Sequence, residues 1–224
     1  MKIVIASSKN WFKEKCEDYD FGDLEIFWIN GPEELSLDYL TQLNPNYIFF
    51  PHWNWKIDAE IFENYICIGF HVAPLPYGRG GSPIQNLILE GFKQAPVNAL
   101  IIGSELDAGD ILLSKEVSLE GTLAEIFDRI SVVIKEFIEL STQGNFNKIK
   151  QSGPVKIFKR RLEQENVLPL NQIKLEKVYD FIRMLDAPEY PKAFIELENF
   201  RFEFSSAKLN KDFIEAKVII KKSL

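Results

Sequence analysis

Hydrophobic residues fall into short continuous runs along the first 140 residues, and amphipathic segments separate most of these runs. A short apolar run bounded by turn residues is typical of a buried strand, whereas apolar residues every three or four positions are typical of a helix with one buried face. The pattern predicts strands at 2–6, 24–29, 46–51, 65–70, 96–103 and 111–117 and helices at 32–43, 58–64, 82–92 and 122–140.

The alternation of strands and helices is that of an α/β fold. We therefore predict a Rossmann-like, mostly parallel sheet with helices on both faces. After residue 140 the periodicity is lost, which predicts a linker at 141–153. A helix at 175–185 and strands at 193–198, 200–205 and 213–220 then predict a small C-terminal α+β appendage. The predicted division is a larger domain at 1–145 and a small subdomain at 146–224.

Charge and cysteine content limit the partners and the compartment. The 224 residues carry a formal net charge of −7, whereas a general nucleic-acid binder needs a basic face, so we expect no nucleic-acid partner. Two cysteines without a disulfide pattern favour the cytoplasm. The N-terminus turns polar after six residues and no window reaches eighteen apolar residues, so we expect no signal peptide and no membrane partner.

Both histidines of the chain are predicted at the carboxyl ends of strands. His71 follows the strand at 65–70 and precedes a loop rich in proline and glycine, APLPYGRGGSP, while His52 follows the strand at 46–51. A lone histidine is more often structural, but ligands of open α/β sheets bind at this edge, and two of two histidines there favour a function. We interpret His71 as the centre of an active site. Neither G-x-S-x-G nor G-x-G-x-x-G is present, and the histidines lack further metal ligands at suitable spacing.

Asp107 is the predicted partner of His71. It lies in the loop after the strand at 96–103, which we expect beside the strand that carries His71. A carboxylate beside an imidazole fixes its tautomer and makes an acid–base pair suited to acyl transfer. Asp110 competes for this role, and an ordinary turn aspartate is the alternative for either residue.

His71, the Leu-Pro-aromatic-x-Arg-Gly loop and the segment LDAGDI at 106–111 resemble the formyltransferases that use 10-formyltetrahydrofolate. That superfamily includes glycinamide ribonucleotide, methionyl-tRNA and sugar-nucleotide N-formyltransferases. The resemblance implies that His71 and Asp107, rather than Asp110, are catalytic, that 10-formyltetrahydrofolate is the cosubstrate, and that no metal takes part. It also implies a folate slot formed by Pro76, Tyr77, Gly78, Arg79, Gly80, Gly81 and Asp110.

One position departs from the Asn-x-His motif of this superfamily, in which the asparagine donates a hydrogen bond to the developing oxyanion. Gly69 stands two residues before His71 in this chain. Protonated His71, a backbone N–H or a side-chain amide must then hold the oxyanion. The candidate amides are Asn54, Gln85 and Asn86.

The segments PYGRGGSPIQNLI, FFPHW, FKRR and DAPEYPKAF resemble the sugar-nucleotide N-formyltransferases of the pseudaminic-acid type and the formylation domain of linear gramicidin synthesis. This branch implies a nucleotide-linked amino sugar as acceptor, with a UDP-linked 4-amino-4,6-dideoxy sugar the best candidate, and a role in cell-surface glycan biosynthesis. The candidates to bind the diphosphate of this acceptor are Lys9, Arg79 and the basic cluster at 159–161. The alternative for the cluster is a solvated linker without a binding role. Trp53 and Trp55 would form a wall of the ligand site or simply belong to the core. The predicted acceptor-binding residues are Lys9, Asn10, His52, Trp53 and Arg160.

Two alternative functions remain open. A methionyl-tRNA formyltransferase-like enzyme is expected to have a larger, basic C-terminal domain, whereas this tail is short and carries acidic residues at 163, 165, 189, 196 and 198. The missing asparagine motivates the other alternative, a non-catalytic folate- or nucleotide-binding module of the same fold. The amphipathic segment at 122–140 and the tail could support a homodimer.

Overall fold

The computed structural model describes residues 1–171 and 174–223, so the predicted subdomain at 146–224 includes three residues outside the described part. The strands of the described part are β1 (Lys2–Ser7), β2 (Glu25–Ile29), β3 (Tyr47–His52), β4 (Cys67–Val72), β5 (Tyr77–Gly80), β6 (Gln94–Ile101), β7 (Ile111–Ser118), β8 (Lys156–Phe158), β9 (Ala193–Leu197), β10 (Phe200–Leu209) and β11 (Ile214–Lys222). The helices are α1 (Trp11–Glu14), α2 (Leu37–Leu43), α3 (Ala59–Asn64), α4 (Pro83–Leu89), α5 (Leu123–Thr142) and α6 (Leu175–Arg183), with a 3₁₀-helix at Glu163–Asn166.

The central sheet has six strands in the order β2-β1-β3-β4-β6-β7. The four strands from β2 to β4 are parallel, while β6 and β7 continue the sheet in antiparallel pairings. The predicted Rossmann-like, mostly parallel sheet is therefore confirmed. Because β6 and β7 form a hairpin, the loop at 102–110 that joins them carries Asp107.

Both faces of this sheet are covered by helices. Along β1, Ile3 and Ile5 belong to a core that includes α4 and α5, whereas Val4 and Ala6 belong to a second core that includes Leu40 of α2 and Ile61 of α3. Alternate side chains of a strand point to opposite faces, which explains why a continuous apolar run is needed here. The two cores leave the carboxyl ends of the parallel strands open for a site.

Helix α2 begins five residues later than the sequence predicts. The prediction began at residue 32, because Pro32 and the two glutamates after it suit a first helical turn. The helix instead begins at Leu37, where the Ser36 side chain accepts a hydrogen bond from the Tyr39 N–H at 3.2 Å. A side-chain cap has therefore outweighed the proline signal.

The pairing of β5 with β8 joins the loop predicted after His71 to a stretch just beyond the predicted linker at 141–153. Backbone pairing joins Tyr77 to Lys156 and Gly80 to Phe158, and Ile149 pairs with Ile111 just upstream. Half of the β5 residues are glycine, so they carry no apolar alternation that could predict a strand. The chain after residue 145 is thus fixed against the His71 loop rather than free.

The last part of the chain forms the predicted α+β appendage. Strands β9, β10 and β11 make an antiparallel sheet with β10 in the middle, and α6 packs against β10. The buried Arg183 of α6 donates to the carbonyls of Leu119 and Gly121 at the start of α5 and pairs with Asp180. A domain division between residues 145 and 146 stays a prediction. Among the described residues, no helix has the length and hydropathy that crossing a bilayer would require.

Candidate active site

A cavity of about 1080 Å³ opens at the carboxyl edge of the parallel strands. Its walls come from the loop after β3, the end of β4, the loop at 102–110, the β5–α4 junction and the segments at 157–166 and 185–191. Strand ends and loops of both predicted domains therefore contribute to one concave site, the arrangement expected for ligand binding in an α/β fold.

His71 and Asp107 lie together in the wall of this cavity. The His71 Nδ1 is 3.4 Å from the Asp107 Oδ2, and the two side chains are 8% and 19% exposed. The His71 Nε2 lies 2.7 Å from the carbonyl oxygen of Gly78, to which it can donate. Both ring nitrogens thus face oxygen acceptors, and they can both donate only when the ring carries two protons.

Strand β5 holds both members of this pair through its backbone. The Gly78 carbonyl accepts from His71, and two residues later the Gly80 N–H donates to the Asp107 Oδ2 at 2.8 Å. Asp107 itself adopts a left-handed backbone conformation with φ of 51°. Aspartate tolerates this region better than most residues, so the turn aims a carboxylate that a larger residue would place poorly.

Asp110 lies outside the cavity walls. Its carboxylate is 3.5 Å from the Lys150 Nζ, and its backbone carbonyl accepts from the Ile101 N–H to close the loop. This is the geometry of a turn residue, and it brings Asp107 rather than Asp110 to His71.

The other histidine also lines the cavity, in a different environment. The His52 Nδ1 accepts from the Trp11 Nε1 at 3.3 Å. Burial, together with the positive charges of Lys9 and Arg160, lowers the pKa of His52 to about 4. His52 is therefore neutral near pH 7, and its surroundings favour negative charge.

The predicted acceptor-binding residues divide into two groups. Lys9, His52, Trp53 and Arg160 line the cavity. The Lys9 Nζ also donates to the Glu189 carbonyl at 2.9 Å. Asn10 does not line the cavity, because its backbone N–H donates to the Glu189 carboxylate at 3.1 Å.

The predicted folate residues divide in the same way. Gly80 and Gly81 line the cavity, whereas Pro76, Tyr77, Gly78, Arg79 and Asp110 do not. Tyr77 instead packs against Phe92 and Phe158, and its hydroxyl donates to Glu90. These residues belong to the support of the site rather than to its surface.

The amides considered as substitutes for the missing asparagine also have different surroundings. Asn54 and Gln85 line the cavity, and Asn54 donates to the Ser8 hydroxyl at 2.8 Å. Asn86 is turned away, because its amide donates to the Gly81 and Ser82 carbonyls. Gly69 lines the cavity, and a Cβ placed there would meet Ile102 at 3.3 Å.

Three further residues belong to the site, and of these only Arg161, part of the basic cluster at 159–161, carries a signal in the sequence. Arg161 and Asn166 line the cavity, and the Arg161 Nε and Asn166 Oδ1 are buried without a hydrogen-bond partner among the described residues. Tyr190 packs against His52 and Phe127, and burial raises its pKa. All three lie far along the chain from His71, so only the folded chain brings them to the cavity. Over residues 1–171 and 174–223, no three His, Cys, Asp or Glu side chains converge as a metal site requires.

Comparison with known proteins identifies the relatives of this chain. A family model described as the C-terminal domain of methionyl-tRNA formyltransferase matches residues 163–221. A solved methionyl-tRNA formyltransferase from Clostridium thermocellum shares 38% identity and a TM-score of 0.93, and the match covers 100% of both chains. A methionyl-tRNA formyltransferase from Bacillus thuringiensis subsp. konkukian is 30% identical over 83% of this chain, which spans only 60% of that relative.

The expected sugar-nucleotide branch is wrong. A sugar N-formyltransferase from Shewanella shares the fold at a TM-score of 0.66 but only 18% identity, well below the methionyl-tRNA formyltransferases. A nucleotide-sugar acceptor, a pseudaminic-acid type enzyme and a role in glycan biosynthesis are therefore not supported. The expectation of no nucleic-acid partner also conflicts with relatives whose name specifies a tRNA.

The net charge and the short tail led to this error. The acidic residues that seemed to exclude tRNA are concentrated between 163 and 198, whereas residues 200–223 carry six basic and three acidic side chains. The shortness of the tail was equally uninformative, because the Clostridium thermocellum protein matches over its whole length. The chain belongs to the methionyl-tRNA formyltransferase family.

Proposed function

We propose that this chain transfers a formyl group from 10-formyltetrahydrofolate to the α-amine of an aminoacyl-tRNA, with methionyl-tRNA as the substrate. The observation that carries the proposal is the His71–Asp107 pair in the wall of a large open cavity. Family membership supports the choice of acceptor, because the relatives at 30% and 38% identity are methionyl-tRNA formyltransferases. A charged tRNA as acceptor places the reaction in the cytoplasm.

The reaction exchanges one C–N bond for another. The neutral amine of the acceptor attacks the formyl carbon, and a new C–N bond forms as the carbonyl oxygen becomes an oxyanion. Collapse of the tetrahedral intermediate breaks the bond to N10 of the folate. The acceptor amine loses one proton and N10 gains one, so the enzyme only has to move protons and stabilise charge.

Asp107 is the better placed of the two residues to receive the proton of the amine. Its side chain is more exposed to the cavity than that of His71, at 19% against 8%. The Gly80 N–H and the His71 ring both face the Asp107 Oδ2 and orient it. His71, which lies beside Asp107 and the Gly78 carbonyl, is the residue that would give a proton to N10.

The chain has Gly69 in place of the asparagine that donates to the oxyanion in the family motif, so another hydrogen-bond donor is needed. His71 can act as that donor by giving up one of its two oxygen partners when the substrates bind. Gln85 is the best placed amide, since it lines the cavity and its only side-chain hydrogen bond to a described residue, the Met184 carbonyl, is long at 3.4 Å. Asn86 is less suited to hold the oxyanion, because its side-chain amide donates to the Gly81 and Ser82 carbonyls.

Two sets of cavity-lining residues suit the two substrates. Trp53, Trp55 and Phe62 are aromatic, which suits the flat pterin ring of the donor. Lys9, Arg160 and Arg161 offer positive charge for the phosphates of the tRNA acceptor end. The buried Arg161 Nε and Asn166 Oδ1 would gain hydrogen-bond partners from such a ligand.

The test is an assay of formyl transfer from 10-formyltetrahydrofolate to methionyl-tRNA by the wild-type chain and three variants. H71A and D107N should each lower kcat by about 10²–10⁴-fold, the range expected for loss of acid–base catalysis. D110N is the matched control in the same loop and should retain most of the rate.

Two outcomes would count against the proposal. Tight binding of the folate without formyl transfer to methionyl-tRNA by the wild-type chain would favour a non-catalytic binding module. A rate lost in D110N and retained in D107N would show that the catalytic aspartate has been assigned incorrectly.

A further inference from the structure

The side chain of Gln151 connects the loop that carries Asp107 to the strand that contacts His71. Its Nε2 donates to the Asp107 carbonyl at 2.7 Å and to the Gly109 carbonyl at 2.9 Å. Its Oε1 accepts from the Arg79 Nε at 3.0 Å and from the Arg79 Nη2 at 2.8 Å. One glutamine therefore makes four hydrogen bonds between two segments that the sequence places 28 residues apart, at Arg79 and Asp107.

We infer that Gln151 and Arg79 form a brace that positions the Asp107 carboxylate toward His71. This inference rests on the proposed function, and it adds a role that neither residue had from the sequence. Arg79 was predicted to bind the folate, whereas its guanidinium is directed at Gln151. Gln151 lies in a segment predicted to be a linker.

The brace is needed because Asp107 is held in an unfavourable backbone conformation. A φ of 51° lies in the left-handed region, which residues with a Cβ adopt less readily than glycine does. Hydrogen bonds from Gln151 to the carbonyls of Asp107 and Gly109 fix the two ends of this turn. Without them the turn can relax and rotate the carboxylate away from the ring.

Strand β5 links Gln151 directly to the catalytic pair, because three consecutive residues of this strand contact His71, Gln151 and Asp107. Gly78 contacts His71, Arg79 contacts Gln151, and Gly80 contacts the Asp107 carboxylate. The chain after Gln151 continues into β8, which pairs with β5. Gln151 is thus a positioning residue that acts through Asp107 and touches no cavity space of its own.

The experiment compares Q151A and Q151M with the control Q94A. Q151M keeps the side-chain length without the hydrogen bonds, so it tests the brace even if Q151A folds poorly. Gln94 is an exposed glutamine at the other end of β6. We expect kcat to fall by roughly 10–100-fold in both Gln151 variants, with the KM for the folate donor little changed, because a small misplacement of a catalytic group has this effect.

A double-mutant cycle separates positioning from general stability. If Gln151 acts through Asp107, adding Q151M to D107N should cause no further loss of kcat. Multiplicative losses in the double variant would overturn the inference, and so would a normal kcat in Q151M.

A second measurement does not depend on the proposed activity. The ¹⁵N resonances of the His71 ring can be recorded without substrates, since the chain has only one other histidine. In Q151M the Nδ1 resonance should move toward its position in D107N, while Q94A should match the wild type. An unchanged His71 spectrum in Q151M would refute the brace, whether or not the protein is active on methionyl-tRNA. If the His71 resonance shifts in Q151M but the wild-type protein is inactive on methionyl-tRNA, only the proposed function is refuted.

Discussion

Two histidines line one cavity, but their charge environments are opposite. His71 has the Gly78 carbonyl at one ring nitrogen and the Asp107 carboxylate at the other, so both of its ring nitrogens face oxygen acceptors. His52 accepts from Trp11 and lies near the charges of Lys9 and Arg160, so burial and these cations disfavour a second proton and lower its pKa. The same residue type thus faces a carboxylate at one position of the cavity wall and cations at the other.

The neutral state of His52 predicts a loss of stability in acid. The pKa of folded His52 is about 4 against an ordinary value of 6.5, so the unfolded chain takes up a proton first as the pH falls. The stabilisation is complete above pH 6.5, is lost progressively between pH 6.5 and 4, and falls no further below that range. The full loss is about 3 kcal/mol at 1.36 kcal/mol for each pKa unit.

Chemical unfolding of wild type and H52Q across this pH range measures that contribution. The glutamine cannot titrate, so the free energy of unfolding of H52Q should decline less between pH 7 and 4. Carboxylates that titrate in the same range affect both proteins and cancel in the difference. Equal declines in the two proteins would contradict a buried neutral His52.

At the residue scale, the sequence was informative where a residue type is rare. Two histidines in 224 residues, each at a predicted strand end, pointed to His71 and to an aspartate of a following loop, and the family resemblance then favoured Asp107 over Asp110. The structure brings these two side chains together, while their catalytic role stays a prediction. Gln151 could not be selected, because a polar residue in a segment rich in Gly, Asn and Gln has no distinguishing pattern.

The element that positions the site is the loop at 102–110, and glycine is required at one point of it. A Cβ added at Gly109 would lie 1.7 Å from the Ile101 carbonyl oxygen, which is a backbone atom that cannot move alone. A Cβ added at Gly103, in the same loop, would meet nothing within 4 Å. The two glycines form a matched pair for testing how tightly the loop is held.

We expect G109A to destabilise the fold by about 1–3 kcal/mol, as overpacking does, and G103A to change stability by less than about 0.5 kcal/mol. G109A should also reduce formyl transfer, because the displaced backbone carries Asp107 two residues earlier. Thermal melts and denaturant titrations give the stabilities, and initial rates give the activity. A G109A protein as stable as G103A would mean that the loop does not pack against β6 as described.

At the element scale, periodicity predicted what is buried on a regular face. The strands of the central sheet and the long helix α5 were predicted within a few residues of their bounds, because each has an apolar run or an apolar stripe. The pairing of β5 with β8 was missed, because YGRG and KIF are too short and too polar to show alternation. Their pairing depends on contacts across 79 positions, from Tyr77 to Lys156, and local pattern cannot show it.

The charge of the whole molecule was the least reliable guide to the proposed tRNA partner. A net charge of −7 describes the sum of all side chains, whereas phosphate binding depends on where the basic ones lie. Lys9, Arg160 and Arg161 all line the cavity, and residues 200–223 have an excess of basic side chains. A chain that is acidic in total can therefore still carry basic side chains at its cavity and near its C-terminus.

This distribution predicts that tRNA binding is salt-dependent and that folate binding is much less so. Each phosphate contact adds about 0.7–0.9 to the slope of the logarithm of the binding constant against the logarithm of the salt concentration. The double variant K217A/K222A removes two basic side chains of β11 and should reduce this slope by about 1–2 for methionyl-tRNA. Its affinity for the folate should not change.

K93A/K115A is the matched control, since it removes two equal charges from the large sheet region, where each lysine already pairs with a glutamate. Fluorescence titrations at several salt concentrations give both slopes. If the control reduced the tRNA slope as much as the β11 variant, the net charge rather than the C-terminal sheet would govern tRNA binding.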